Sequence, residues 1–257
     1  SRNVMMSISY MTSSLFCGYL LTWLPFPVNY QLVFLIGFIG AMMSSYFLSR
    51  IEMTDKVLPV TSRFEGAFDL KSYLRVDIWK TSYRVTLLLL MAFHLAQYLA
   101  IPLFPIYFVR NLNLNDNELG IGTAIFYFAM LIGSAQLHRF VAARGNKTIV
   151  GVGVFLMAIY PILLALSSNY FQYYGLSFIG GYAWSFVGGA SMNYIFEHCP
   201  ADDRPAYLAW YNIVQNIAIL VGSLSGPFIS HSLDIQTALI AFGVLRGIAG
   251  LAILRWG

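Results

Sequence analysis

Few residues in this chain of 257 have types and spacing that could do chemistry, and those few suit binding better than catalysis. His94, Gln97 and Tyr98 stand at i, i+3 and i+4, so a helix would carry all three on one face. Asn212, Gln215 and Asn216 repeat that spacing, with Tyr211 alongside. Inside an apolar segment such side chains are costly unless used, so each face meets a solute, water or another helix. Trp184 lies between Gly180, Gly181 and Gly188, Gly189; it could stack on a flat ligand, while the glycines could permit close helix contact. Arg246 is the one basic residue deep in an apolar stretch. It reads as a solute or coupling charge, or as a side chain that snorkels or pairs with a neighbouring carbonyl.

Enzyme chemistry would need titratable groups that converge. His94, His138, His198 and His231 fall in different segments, with no HExxH or HxxxD spacing. Glu197-His198-Cys199 is compact, but adjacent residues on a helix point apart, and capping is the plainer role. The reading is therefore no enzyme, no cofactor and no metal site. Cys17 and Cys199 fall at different membrane levels, which argues against a disulfide.

The elements that must hold these residues follow from composition. The chain is 58% hydrophobic and 10% charged, with a mean hydropathy of +0.68. Soluble domains are about a quarter charged, so this is an all-α polytopic membrane protein. A span needs about 20 apolar residues. Breaks at charges, Asn clusters and prolines give eight candidates: 4–24, 30–49, 85–109, 119–138, 148–167, 170–196, 206–230 and 236–254. With the N-terminus cytoplasmic, thirteen of the fifteen Lys and Arg fall inside, which fixes the orientation with both termini of the chain in the cytoplasm. The net charge of +4 then marks loops on an anionic leaflet, not a nucleic-acid surface. Counting from Arg84, ten residues at ~1.5 Å put His94 about 15 Å deep, near the midplane.

The one long connection, 50–84, separates a two-span hairpin (1–49) from a six-span block (85–257). Phe68, Leu70, Tyr73, Leu74, Ile78 and Trp79 have roughly helical spacing there, which suits either an amphipathic surface helix or a solvated linker. The first and last hairpins look like copies. Each has a glycine late in its first span (Gly18, Gly226), a short turn, and a second span closed by arginine (Arg50, Arg255). The glycines are 208 residues apart, about the length of a six-span unit with its loop. If the last hairpin is the fifth and sixth spans of one unit, the first is the same pair of another, and four spans would precede Ser1.

Three segments carry a family resemblance. Pro25-Phe26-Pro27-Val28-Asn29-Tyr30-Gln31 is similar to a turn of the major facilitator superfamily. Pro102-Leu103-Phe104-Pro105-Ile106-Tyr107, with the following Asn-rich loop and Leu119-Gly120, resembles the end of that family's seventh span and the start of its eighth. Arg204-Pro205-Ala206-Tyr207 with Gly222-Ser223-Leu224-Ser225-Gly226-Pro227 resembles its eleventh. The stretch His138 to Lys147 matches the family's loop after the eighth span at Gly145 and Lys147, but puts Ala142 or Ala143 at the acidic position. The resemblance implies a secondary transporter of a small solute, efflux included, working by alternating access in the plasma membrane as a monomer, with a coupling proton as a further partner. It implies a cavity at His94, Gln97, Tyr98, Trp184, Asn212, Gln215 and Asn216, a coupling or structural charge at His94 or Arg246, and a cytoplasmic gate at Arg139, Arg144, Gly145, Lys147 and Arg204. The competing expectation is a non-transporting receptor or scaffold with the same fold, in which those polar faces would close on helix contacts.

Overall fold

Lipid offers no hydrogen-bond partner to a backbone amide, so apolar runs of this length must be helical. A computed structural model describes residues 2–51 and 75–257, and every regular element among them is a helix. In chain order they are α1 (Arg2–Trp23), α2 (Val28–Ser49), a 3-10 turn (Val76–Lys80), α3 (Tyr83–Ala100), α4 (Leu103–Arg110), α5 (Asp116–Ala165), α6 (Tyr170–Glu197), a second 3-10 turn (Ala201–Asp203), α7 (Arg204–Leu233) and α8 (Ile235–Trp256).

Six candidate spans are long and apolar enough to cross a membrane, α3 and α4 together forming one of them. The chain is therefore a multi-pass membrane protein. Two of the eight predicted spans, 119–138 and 148–167, are carried by the single 50-residue element α5, the second running two residues past its end. The loop predicted between them is helical on both sides of Gly145, because Ala142, Ala143 and Arg144 are strong helix formers. Gly145 itself has φ 77° and ψ 162°, a conformation open to glycine, and the helix breaks there. The two arms double back: Phe186 of α6 meets Phe140 of one arm edge-on and lies beside Gly153 of the other. The 28-residue α6 matches the predicted span 170–196, but its glycines, serines and tyrosines dilute its hydropathy, and it is not among the six.

Local signals explain most boundaries. Pro25 and Pro27 separate α1 from α2, and Pro102 ends α3 and starts α4. Asn115 and Glu118 form a reciprocal capping box at the start of α5, with both bonds at 2.9 Å. Asn169 caps α6, accepting the Gln172 N–H at 3.0 Å.

The core has two parts within residues 78–253. One joins α3, the 146–165 arm of α5, α6 and α8 through Leu87, Leu90, Val154, Val187 and Ile253. The other lies at the far end around Leu103, Tyr107, Leu164, Leu239 and Phe242, where the Tyr107 hydroxyl donates to the Ala165 carbonyl at 3.0 Å. Glycines set the closest crossings: Gly243 and Gly250 admit the backbone of the 146–165 arm to α8, and Gly226 admits the Leu99 carbonyl to α7. The first hairpin leans on this block through α1. Gly18 meets Gly120, Ser14 Oγ donates to the Gly120 carbonyl at 2.9 Å, and Tyr10 stacks on Tyr127 at 4.8 Å. The outermost helix, α2, adds the Tyr30 hydroxyl, which donates to Asp116 at 3.1 Å.

Of the suggested amphipathic stretch, residues 68–74 lie outside the described residues, as do Lys56, Arg63 and Lys71. Its end is the 3-10 turn, where Ile78 is fully buried and Trp79 meets Trp210 edge-on at 5.5 Å.

Candidate functional site

The break at Pro102 and the doubling back of α5 leave a cavity of about 380 Å³ between α3, α4, both arms of α5, α6 and α8. Its walls are mostly aromatic: Phe104, Phe126, Tyr127, Tyr160, Tyr173 and Trp184. Gln97 and Tyr98 reach it from α3 and Arg246 from α8.

Arg246 neither snorkels nor forms an ion pair among the described residues. It is 1% exposed, and its Nη1 and Nη2 donate to the Met157 carbonyl at 3.1 Å and the Gln97 carbonyl at 3.2 Å. These bonds tie α8 to α5 and α3. Two buried polar atoms of the lining have no partner, Arg246 Nε and Gln97 Oε1. Buried polar groups are ordinarily hydrogen-bonded, so two such atoms in one cavity wall invite a ligand or water.

The remaining sequence-selected residues divide. Gln97, Tyr98 and Trp184 come together at the cavity, whereas His94 packs between α3 and α7 with Nε2 3.1 Å from the Tyr211 hydroxyl. Asn212 and Asn216 lie on an exposed face of α7, where Asn216 Nδ2 donates to the Asn212 carbonyl at 2.7 Å, and Gln215 is half-buried. These amides and the cavity residues do not share a pocket.

At the end of the bundle that holds Gly145, Arg139 and Arg144 are exposed and Lys147 is half-buried. Asn146 Nδ2 donates to Glu197 at 2.7 Å, and the Arg204 guanidinium lies 5.1 Å over the Phe196 ring. The strongest link here involves a residue that the spacing did not single out. Arg75 forks onto Asp203, with Nη1 at 3.1 Å and Nη2 at 2.7 Å, and also bonds Asp77. The hydrogen bond from Arg75 holds the Asp77 carboxyl below the usual carboxylate range. Trp210 Nε1 donates to the Arg75 carbonyl at 3.2 Å, so the end of the long connection is fastened to α7.

The aromatic walls and the cavity position of Arg246 were not legible from spacing. Thirty-seven Phe and Tyr residues are spread along the chain, and periodicity does not separate rings that face lipid from rings that face a cavity.

Comparison with known proteins gives a family and a distant relative. Over 132 residues the chain is 22% identical to multidrug resistance protein 2 of Bacillus subtilis (strain 168), a stretch covering 51% of this chain and 33% of that relative. The chain thus spans about a third of that relative's length. No solved structure matches at a significant level. Residues 86–257 match the profile of the Major Facilitator Superfamily, whose members are non-enzymatic and carry small solutes across membranes. That match runs over more than half of the chain and includes every element lining the cavity, so the chain belongs to the Major Facilitator Superfamily.

Proposed function

We propose that the chain works within a secondary transporter that moves a small solute by alternating access. The observation that carries this reading is the 380 Å³ cavity, walled by aromatic rings and holding two unpartnered buried polar atoms. On this reading Gln97, Tyr98 and Trp184 contact the solute. Asn212, Gln215 and Asn216 line a water-filled path on the free face of α7, and His94 fixes that helix through Tyr211. Arg139, Arg144, Gly145, Lys147 and Arg204 form the cytoplasmic gate.

The chain crosses the plasma membrane eight times in this proposal, once for each arm of α5 and once for α6, with both of its termini cytoplasmic and the protein monomeric. The doubled-back arms support that count, and the thirteen basic residues assigned to one side support the orientation. The first hairpin, α1 and α2, takes the place of the fifth and sixth of twelve spans. Its contact with α5 around Gly18 and Gly120 suits two bodies that rock against each other. A receptor or scaffold would close its polar faces on helix contacts, and the open cavity disfavours it.

The test is solute movement. Cells producing the protein, loaded with a panel of fluorescent aromatic solutes, change their retention of at least one of them, and Gln97→Ala and Trp184→Ala each reduce that change about tenfold at equal surface expression. Retention identical to that of cells without the protein, for every solute, refutes transport.

A further inference from the structure

The electrostatics of the cavity narrow its occupant. Arg246 is charged at any physiological pH, is 1% exposed, and makes no ion pair among the described residues. The two carbonyls it bonds orient the guanidinium but carry no net charge. A buried charge in that condition bears a desolvation cost that only a counter-charge offsets well. Among the residues lining the cavity Arg246 is the sole charged one, with no Asp, Glu or Lys beside it. The free Nε–H lacks an acceptor, and Gln97 Oε1, in the same wall, lacks a donor. The rings of Phe104, Phe126, Tyr127, Tyr160 and Trp184 supply flat apolar surface around both.

From these observations we propose that the cavity is a binding site for an organic anion with a flat, aromatic body. Its carboxylate or equivalent group meets Arg246, and a donor on the same molecule meets Gln97. This assignment rests on the reading of the cavity as the solute site and names the class of solute. Aromatic walls alone would also attract cations through their ring faces, so the sign of the preferred charge is the discriminating property. Arg246 sets that sign.

The experiment uses the purified full chain in lipid nanodiscs and tritiated 2-naphthoate, with 2-naphthamide and 2-naphthylmethylammonium as competitors of nearly equal shape and different charge. The expected result is naphthoate binding at least tenfold tighter than either competitor. Arg246→Gln abolishes that preference while naphthamide binding stays within about threefold, and Arg246→Lys restores part of the preference. Equal or tighter binding of the ammonium or the amide overturns the proposal. So does a failure of all three probes to bind, and so does an undiminished naphthoate preference in Arg246→Gln. If Arg246→Gln does not fold, the order of the three probes on the unaltered protein decides alone. Naphthoate flux, followed separately in proteoliposomes, distinguishes the two readings: selective binding without flux keeps the anion site and refutes transport.

Discussion

The packing of α6 on α5 makes a strong prediction at Gly181. A Cβ built there would overlap the Phe126 carbonyl oxygen and lie 2.7 Å from the Phe126 carbonyl carbon and 2.9 Å from its Cα. Carbon atoms in contact prefer about 3.5–4.0 Å, and the obstacle is helix backbone that cannot rotate away, so Gly181→Ala must part the two helices by about 1 Å. Overpacking of this kind costs about 1–3 kcal/mol, and alanine recovers up to about 1 kcal/mol through its helix propensity. A net loss of about 1–2 kcal/mol follows. Gly175 on the same helix is the control: it is exposed and an added Cβ meets nothing within 4 Å, so Gly175→Ala is neutral or stabilising. Thermal unfolding in detergent, followed by gel-filtration recovery, reads the difference as a melting temperature several degrees lower for Gly181→Ala. Because Phe126 also forms part of the cavity wall, the same variant weakens solute binding. Equal melting temperatures for the two variants would refute the helix contact and the wall built on it.

Three further outcomes are expected. Arg75→Ala removes the fork onto Asp203 and costs about 0.5–1 kcal/mol, because the pair is partly exposed; the unaltered protein loses a similar amount in high salt, and a variant insensitive to salt alongside a sensitive parent checks this in a melting assay. Asp234 caps α8, accepting from Gln236 N–H at 2.8 Å and from Thr237 N–H at 3.1 Å, and its hydrogen bond from the Thr237 hydroxyl lowers its pKa first of all. Its contribution is therefore full above the ordinary carboxylate pKa and lost as pH falls through the lowered folded value, so Asp234→Asn, which keeps an acceptor without a titrating proton, flattens the fall in melting temperature below about pH 4. Finally, in a protein freed of Cys17 and Cys199, a membrane-impermeant thiol reagent labels Asn113→Cys in intact cells and labels Arg144→Cys only after permeabilisation; the reverse pattern refutes the orientation.

Much of the architecture could be read from residue types because the bilayer leaves few choices. Once the apolar runs exceed about 20 residues and carry no carboxylate, helices are obligatory, and Pro25, Pro27 and Pro102 mark where they stop. Asn115 with Glu118 announces a helix start in the same local terms. The stretch 139–147 was misleading for a related reason: its charges suggest a loop, whereas Ala142, Ala143 and Arg144 continue the helix and Gly145 alone breaks it.

The site was legible only in part. The i, i+3, i+4 spacing places His94, Gln97 and Tyr98 on one helix face, yet a face about 100° wide can meet two neighbours at once. His94 meets Tyr211 of α7, while Gln97 and Tyr98 meet the cavity. Arg246 shows the same division. Its type and its depth in an apolar stretch follow from the chain, but whether it snorkels or turns inward depends on which helix lies beside α8. The carbonyls of Met157 and Gln97, 89 and 149 residues away, hold it inside. Helix periodicity is a local property of the backbone. The sharing of one wall by aromatic rings from four helices is a property of tertiary packing, and the cavity exists only there.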